Sequence, residues 1–104
     1  MVLRLLIGTA VVLCLAGSAS AADGAAVYSG QCAKCHGDTG KSDTTIGKAV
    51  KAPALAGDAK LQQASEGDIA ALIKGNKKHP PTVKSLSDDD LRAAATFIKG
   101  LAGK

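Results

Sequence analysis

Cys32-Ala33-Lys34-Cys35-His36 is the stretch on which the reading of this chain turns. Two thiols stand three positions apart, and an imidazole follows directly. A structural disulfide could pair such cysteines, but it gives the adjacent His36 no task. A zinc site needs about four ligands, and outside the leader only Cys32, Cys35, His36 and His79 are on offer. Neighbours in sequence such as Cys35 and His36 make awkward tetrahedral partners. A thioredoxin-like dithiol would want flanking strands in a βαβ pattern, and no run here shows convincing strand alternation. The remaining chemistry is covalent haem attachment, whose pattern is Cys-x-x-Cys-His. Two cysteines on one helical turn can reach both vinyl groups of one porphyrin. The histidine behind them then lies under the ring, where an imidazole nitrogen can bind iron.

The start of the chain agrees with a compartment in which such attachment takes place. Met1-Val2-Leu3-Arg4 is a short basic opening, Leu5 to Ala16 is almost continuously apolar, and Ala19-Ser20-Ala21 offers small residues to a peptidase. This order predicts a signal peptide over residues 1–21, cleaved on export to the periplasm; its apolar core is too short for a lasting membrane span. Cys14 would leave with it. Leu13 before Cys14 is not the small residue a lipid-anchoring signal uses, so no stable membrane anchor is expected.

Residues 22–104 would then form one domain. That length is only just above the roughly 70–80 residues below which an apolar core rarely holds a fold unaided. Tyr28 and Phe97 are the only aromatic residues, and much of the remaining apolar content is alanine. A bound prosthetic group would fill the middle. The formal charge of +4 shrinks once Arg4 is lost and haem propionates are added. Without a basic stripe interleaved with stacking aromatics, nucleic-acid binding is not expected.

Three stretches read as helices. One runs from about Gly24 to Cys35, with Ala25, Tyr28 and Cys32 near one face. A second spans about Gly67 to Lys74, with Ile69, Leu72 and Ile73 as its apolar stripe, stopped by Gly75-Asn76 through a left-handed turn. The third starts at Ser87, a natural N-cap. Asp88, Asp89 and Asp90 sit at its positive end, and Leu91, Ala94, Ala95, Ile98 and Leu101 follow at helical spacing. Residues 37–57 read as a long loop that needs something to wrap around. The expected fold class is all-α.

Gly24-Ala25-Ala26-Val27-Tyr28, running into Cys32-Ala33-Lys34-Cys35-His36-Gly37, resembles the opening of the bacterial class I cytochromes c. Ala52-Pro53-Ala54-Leu55-Ala56-Gly57, the helix before Gly75 and the closing Leu86-Ser87-Asp88-Asp89-Asp90-Leu91 helix extend the likeness over residues 22–104. The resemblance implies a small monohaem cytochrome c fold. Its first and last helices would cross, with Gly24 and Tyr28 meeting Ala94 and Phe97, and its loops would wrap one haem c. It also implies that the Pro53 carbonyl accepts the proton of the His36 nitrogen that does not bind iron, and that Leu55 and Ile69 press on the haem. Leu55 and Ile69 would equally serve as ordinary core.

The chain departs from that family at the second axial ligand. Most class I cytochromes c use a methionine in a loop ending Met-Pro, and the only methionine here is Met1. The corresponding loop reads Gly75-Asn76-Lys77-Lys78-His79-Pro80-Pro81, which makes His79 the candidate partner of His36. Lys77, Lys78 and Lys84 are the rivals, but an amine must shed a proton whose ordinary pKa is about 10.4. Asn76 is a poorer ligand. A bis-histidine haem should have a lower potential than its His/Met relatives, since methionine ligation raises it.

With both axial positions filled, the iron has no place for substrate. The expected role is electron carriage between larger redox proteins, by a non-enzymatic and monomeric protein. Lys34, Lys48, Lys51, Lys77, Lys78 and Lys84 are candidates to steer an acidic partner. The alternative is a five-coordinate haem that binds or senses small molecules, or acts as a weak peroxidase. A further possibility is permanent docking as a subunit, for which Ala102-Gly103-Lys104 supplies no visible tether.

Overall fold

Three of the longer helices begin on a side chain that caps them, in a computed structural model that describes residues 23–104. The expected signal peptide, with Cys14, lies outside those residues. Asp23 accepts from the amides of Ala25 and Ala26 and opens α1, Gly24–Gln31. Ser65 accepts from Asp68 N and opens α5, Glu66–Gly75. Ser87 accepts from Asp90 N and opens α7, Asp88–Ala102, whose first turn carries Asp88, Asp89 and Asp90. Each cap satisfies amides that the helix itself cannot, and the aspartates lie at the positive end of the α7 dipole.

Four short helices complete the fold: α2, Ala33–His36; α3, Thr45–Val50; α4, Ala59–Gln63; and α6, Pro81–Lys84. No strand occurs among the described residues. The all-α class holds, while the stretch 37–57 is less of a loop than expected. Thr44 caps α3 inside it by accepting from Gly47 N at 2.9 Å. α4 and α6 were likewise not foreseen.

α7 is the central element, with α1, α4 and α5 packed on it. Leu91, Ala94, Ala95, Ile98, Leu101 and Ala102 are its buried face. The first and last helices meet where Gly24 abuts the backbone of Ala93: a Cβ at position 24 would collide with the Ala93 carbonyl and press on Phe97. The contact therefore falls on Ala93, one residue before the expected Ala94. The Tyr28 and Phe97 rings lie 4.9 Å apart between centroids, and the buried Tyr28 hydroxyl donates to Gly37 O at 2.7 Å.

Three helix expectations need correction. Ala25 is exposed, and the buried face of α1 runs through Tyr28 to Cys32. In α5, Ile69 and Ile73 are buried but Leu72 is 62% exposed, because only the first two face α7's side of the core. The same helix ends without a left-handed residue. Asn76 is extended, with φ −78° and ψ 117°, and its side-chain oxygen turns the chain by accepting from Lys78 N at 2.9 Å. No helix among the described residues is long and apolar enough to cross a membrane.

Candidate functional site

α1 gives way at Cys32, with φ −111° and ψ −36°, to the single turn of α2. Cys35 N and His36 N both donate to Cys32 O, at 3.2 and 2.9 Å, so the two thiols and the imidazole share one locked turn. Cys32 is buried, Cys35 is half-buried, and both are free thiols. Burial chiefly, with the neighbouring Cys35, pushes the Cys32 thiol up to about 11. Among the described residues no group of three or more His, Cys, Asp or Glu side chains could hold a metal ion.

α3 braces this turn from outside. Thr44 Oγ1 donates to Lys34 O at 2.7 Å while it caps α3. A Cβ on Gly47 would run into the Cys35 carbonyl, so only glycine lets α3 lie this close to α2.

His36 is half-buried, and its Nδ1–H donates to Pro53 O at 3.0 Å. Burial holds its pKa below the ordinary histidine value; the Pro53 bond works against that and the nearby His79 works with it. A neutral imidazole whose Nδ1 proton is engaged presents Nε2 as its free lone pair.

His79 makes a matching Nδ1 bond from another direction. α5 ends with carbonyls that no helical amide can meet, and the chain then folds back, His79 N donating to Asn76 O at 3.1 Å. The His79 Nδ1–H donates to Ile73 O at 2.6 Å, which satisfies one of those carbonyls and again leaves Nε2 free. Pro80 and Pro81 follow at once, and Pro81 opens α6, which the buried Val83 fixes to the core.

The two rings come together. Their centroids are 6.4 Å apart and their planes cross at 70°. Two imidazole–metal bonds of about 2 Å, each with roughly 1 Å more to the ring centre, would set the centroids about 6 Å apart. The centroid spacing is compatible with one metal ion shared between the two rings.

Of the other candidates, Leu55 is half-buried against the core cluster and Ile69 is 1% exposed inside it. Lys77 and Lys78 are exposed beside His79, and Lys84 is half-buried on α6. Reasoning from sequence missed Ser42 and the Ile73 carbonyl. Ser42 has a left-handed backbone, φ 54°, and its hydroxyl donates to Pro53 O at 2.6 Å. Neither left a mark in the residue pattern: a carbonyl belongs to every residue, and a serine in a loop is unremarked.

Residues 19–98 match the family model described as cytochrome C oxidase, cbb3-type, subunit III. No curated protein and no solved structure matches the chain.

Proposed function

The chain belongs to the cytochrome C oxidase, cbb3-type, subunit III family, and on that premise we propose that it is a periplasmic electron carrier with bis-histidine ligation by His36 and His79. As a c-type cytochrome domain it bears a covalently bound haem c with its iron. That group supplies a one-electron ferric–ferrous couple.

The chain's residues do the rest. Cys32 and Cys35 form the covalent attachment from one turn. His36 and His79 would hold the iron through Nε2, and each ring is oriented by its own Nδ1–H, one bonded to Pro53 O and the other to Ile73 O. Both bonds make the imidazoles richer donors, which favours the ferric state and a low potential. Leu55 and Ile69 contribute apolar packing to the haem side of the core and exclude water. With His36 and His79 both holding the iron, little would have to rearrange when an electron passes.

The observation that carries this reading is the 6.4 Å spacing of the two rings, with both Nδ1 protons already committed to backbone carbonyls. Ferric absorption and electron paramagnetic resonance spectra of the haem-bearing protein test it beside the His79→Ala variant. The expected result is a low-spin parent that turns high-spin in the variant. A high-spin parent that the substitution leaves unchanged would overturn the ligation, and would favour the five-coordinate, small-molecule-binding alternative.

The family is named for an oxidase subunit, which favours one second reading, a domain held within a larger assembly. Native mass separates the two, since a free carrier runs at its own size.

A further inference from the structure

We propose that Ser42 is a positioning residue that weakens the hydrogen bond behind His36 and so raises the haem potential. The inference rests on the reading of His36 as an iron ligand.

Pro53 O serves two donors. His36 Nδ1–H reaches it at 3.0 Å and the Ser42 hydroxyl at 2.6 Å, with Ser42 Oγ itself 3.4 Å from His36 Nδ1. A carbonyl has two lone pairs and can accept both. The shorter bond, however, draws charge from the oxygen and reduces its pull on the imidazole proton. An imidazole that keeps its Nδ1 proton more firmly is a poorer donor through Nε2. The ferric state loses more by that than the ferrous, and the potential rises.

The backbone supports a specific role for this side chain. Ser42 sits at φ 54°, where glycine would rest without strain and where a side chain carries a steric cost. Its amide donates to His36 O at 2.8 Å, so Ser42 is bound to the ligand's backbone as well as to the carbonyl behind its ring. A strained position next to a functional group points toward function when the side chain has something to do there. The hydroxyl gives it that task.

Voltammetry of the haem-bearing protein, beside Ser42→Ala and Ser42→Gly, separates hydroxyl from backbone. Both variants lack the donor to Pro53 O, and only glycine relieves the left-handed strain. The expected result is an equal fall in potential in the two, a two- to tenfold shift of the one-electron equilibrium toward ferric, or about 18–59 mV. The ferric spectrum should stay low-spin, and the Gly variant should melt above the Ala variant. An unchanged or raised potential overturns the proposal, and so does a fall confined to the Ala variant, which would mark strain as the cause. Failure of the His36 reading is seen separately, as a His36→Ala variant whose ferric spectrum matches the parent's, and the proposal would fall with it.

Discussion

Tyr28 is the one tyrosine of the chain, 1% exposed, with its ring on Phe97 and its hydroxyl on Gly37 O. Gly37 is the residue after His36, so this bond ties the attachment turn to the α1–α7 crossing. Removing the hydroxyl deletes one buried hydrogen bond while Gly37 O keeps its bond from Gly40 N at 3.1 Å, and Tyr28→Phe should destabilise the protein by about 0.5–1.5 kcal/mol at neutral pH. The same phenol makes stability depend on alkaline pH. Its pKa is pushed up to about 12 by burial first, then by the charges of Cys32 and Asp38; the Cys32 part disappears once that thiol is a thioether. The unfolded chain gives up this proton near 10 and the folded chain later, so the unfolded state binds fewer protons in between. The contribution is therefore whole below about pH 10 and is lost as pH climbs toward 12, by up to about 1.4 kcal/mol per unit. Denaturant unfolding of parent and Tyr28→Phe between pH 7 and 12 should show their difference narrowing above pH 10. A constant difference would mean that the phenol ionises in the fold as easily as in water.

Within α1, one substitution should have opposite signs at two positions. At Gly24 an added methyl meets the Ala93 carbonyl and Phe97, and α1 must lift off α7. Gly24→Ala should destabilise by about 1–3 kcal/mol, as overpacking does. At Gly30 nothing lies within 4 Å of the new carbon and no positive φ is required, so Gly30→Ala should stabilise by about 0.4–1 kcal/mol through the unfolded chain. Chemical denaturation of the two variants checks this, and a shared sign would show that the crossing is looser than drawn. The elements themselves were unequally legible. α7 could be read because its cap, its three aspartates and its apolar spacing agree. α3, α4 and α6 escaped because four to six residues carry too little periodicity, although Thr44, Asp58 and Pro81 marked their starts. The break at Cys32 had no signal, since the residues around it are all compatible with one continuous helix. At the candidate site, residue chemistry and spacing pointed to Cys32, Cys35 and His36, while His79 became a candidate through the family resemblance and the lack of a second methionine. The carbonyls that orient the two rings depend on where the backbone turns, and those turns come from Asn76 and from the left-handed Ser42.

Across the whole molecule, charge decides how a carrier finds its partners. Lys34, Lys48, Lys51, Lys77 and Lys78 are exposed, Lys84 is half-buried, and among the described residues none of the six takes part in an ion pair. Lys74 pairs with Asp88 at 4.0 Å, but both side chains are exposed and the pair contributes little. The carboxylates of α7, by contrast, gather at its first turn, so the two signs of charge are unevenly distributed along the chain. Lys77 and Lys78 directly precede His79, and Lys34 lies between the two cysteines, so both ends of the candidate site carry uncompensated positive charge. Such a field speeds encounter with an acidic surface and is screened by salt, the Debye length falling from about 30 Å at 0.01 M to about 3 Å at 1 M. Electron-transfer rates with a small acidic redox protein should therefore drop as ionic strength rises over that range. The double variant Lys77→Glu, Lys78→Glu should flatten the dependence while leaving the spectrum of the haem unchanged. A parent rate that ignores salt would place the docking surface elsewhere, on the uncharged apolar side chains Ile46 and Val50 of α3, which are 51% and 52% exposed.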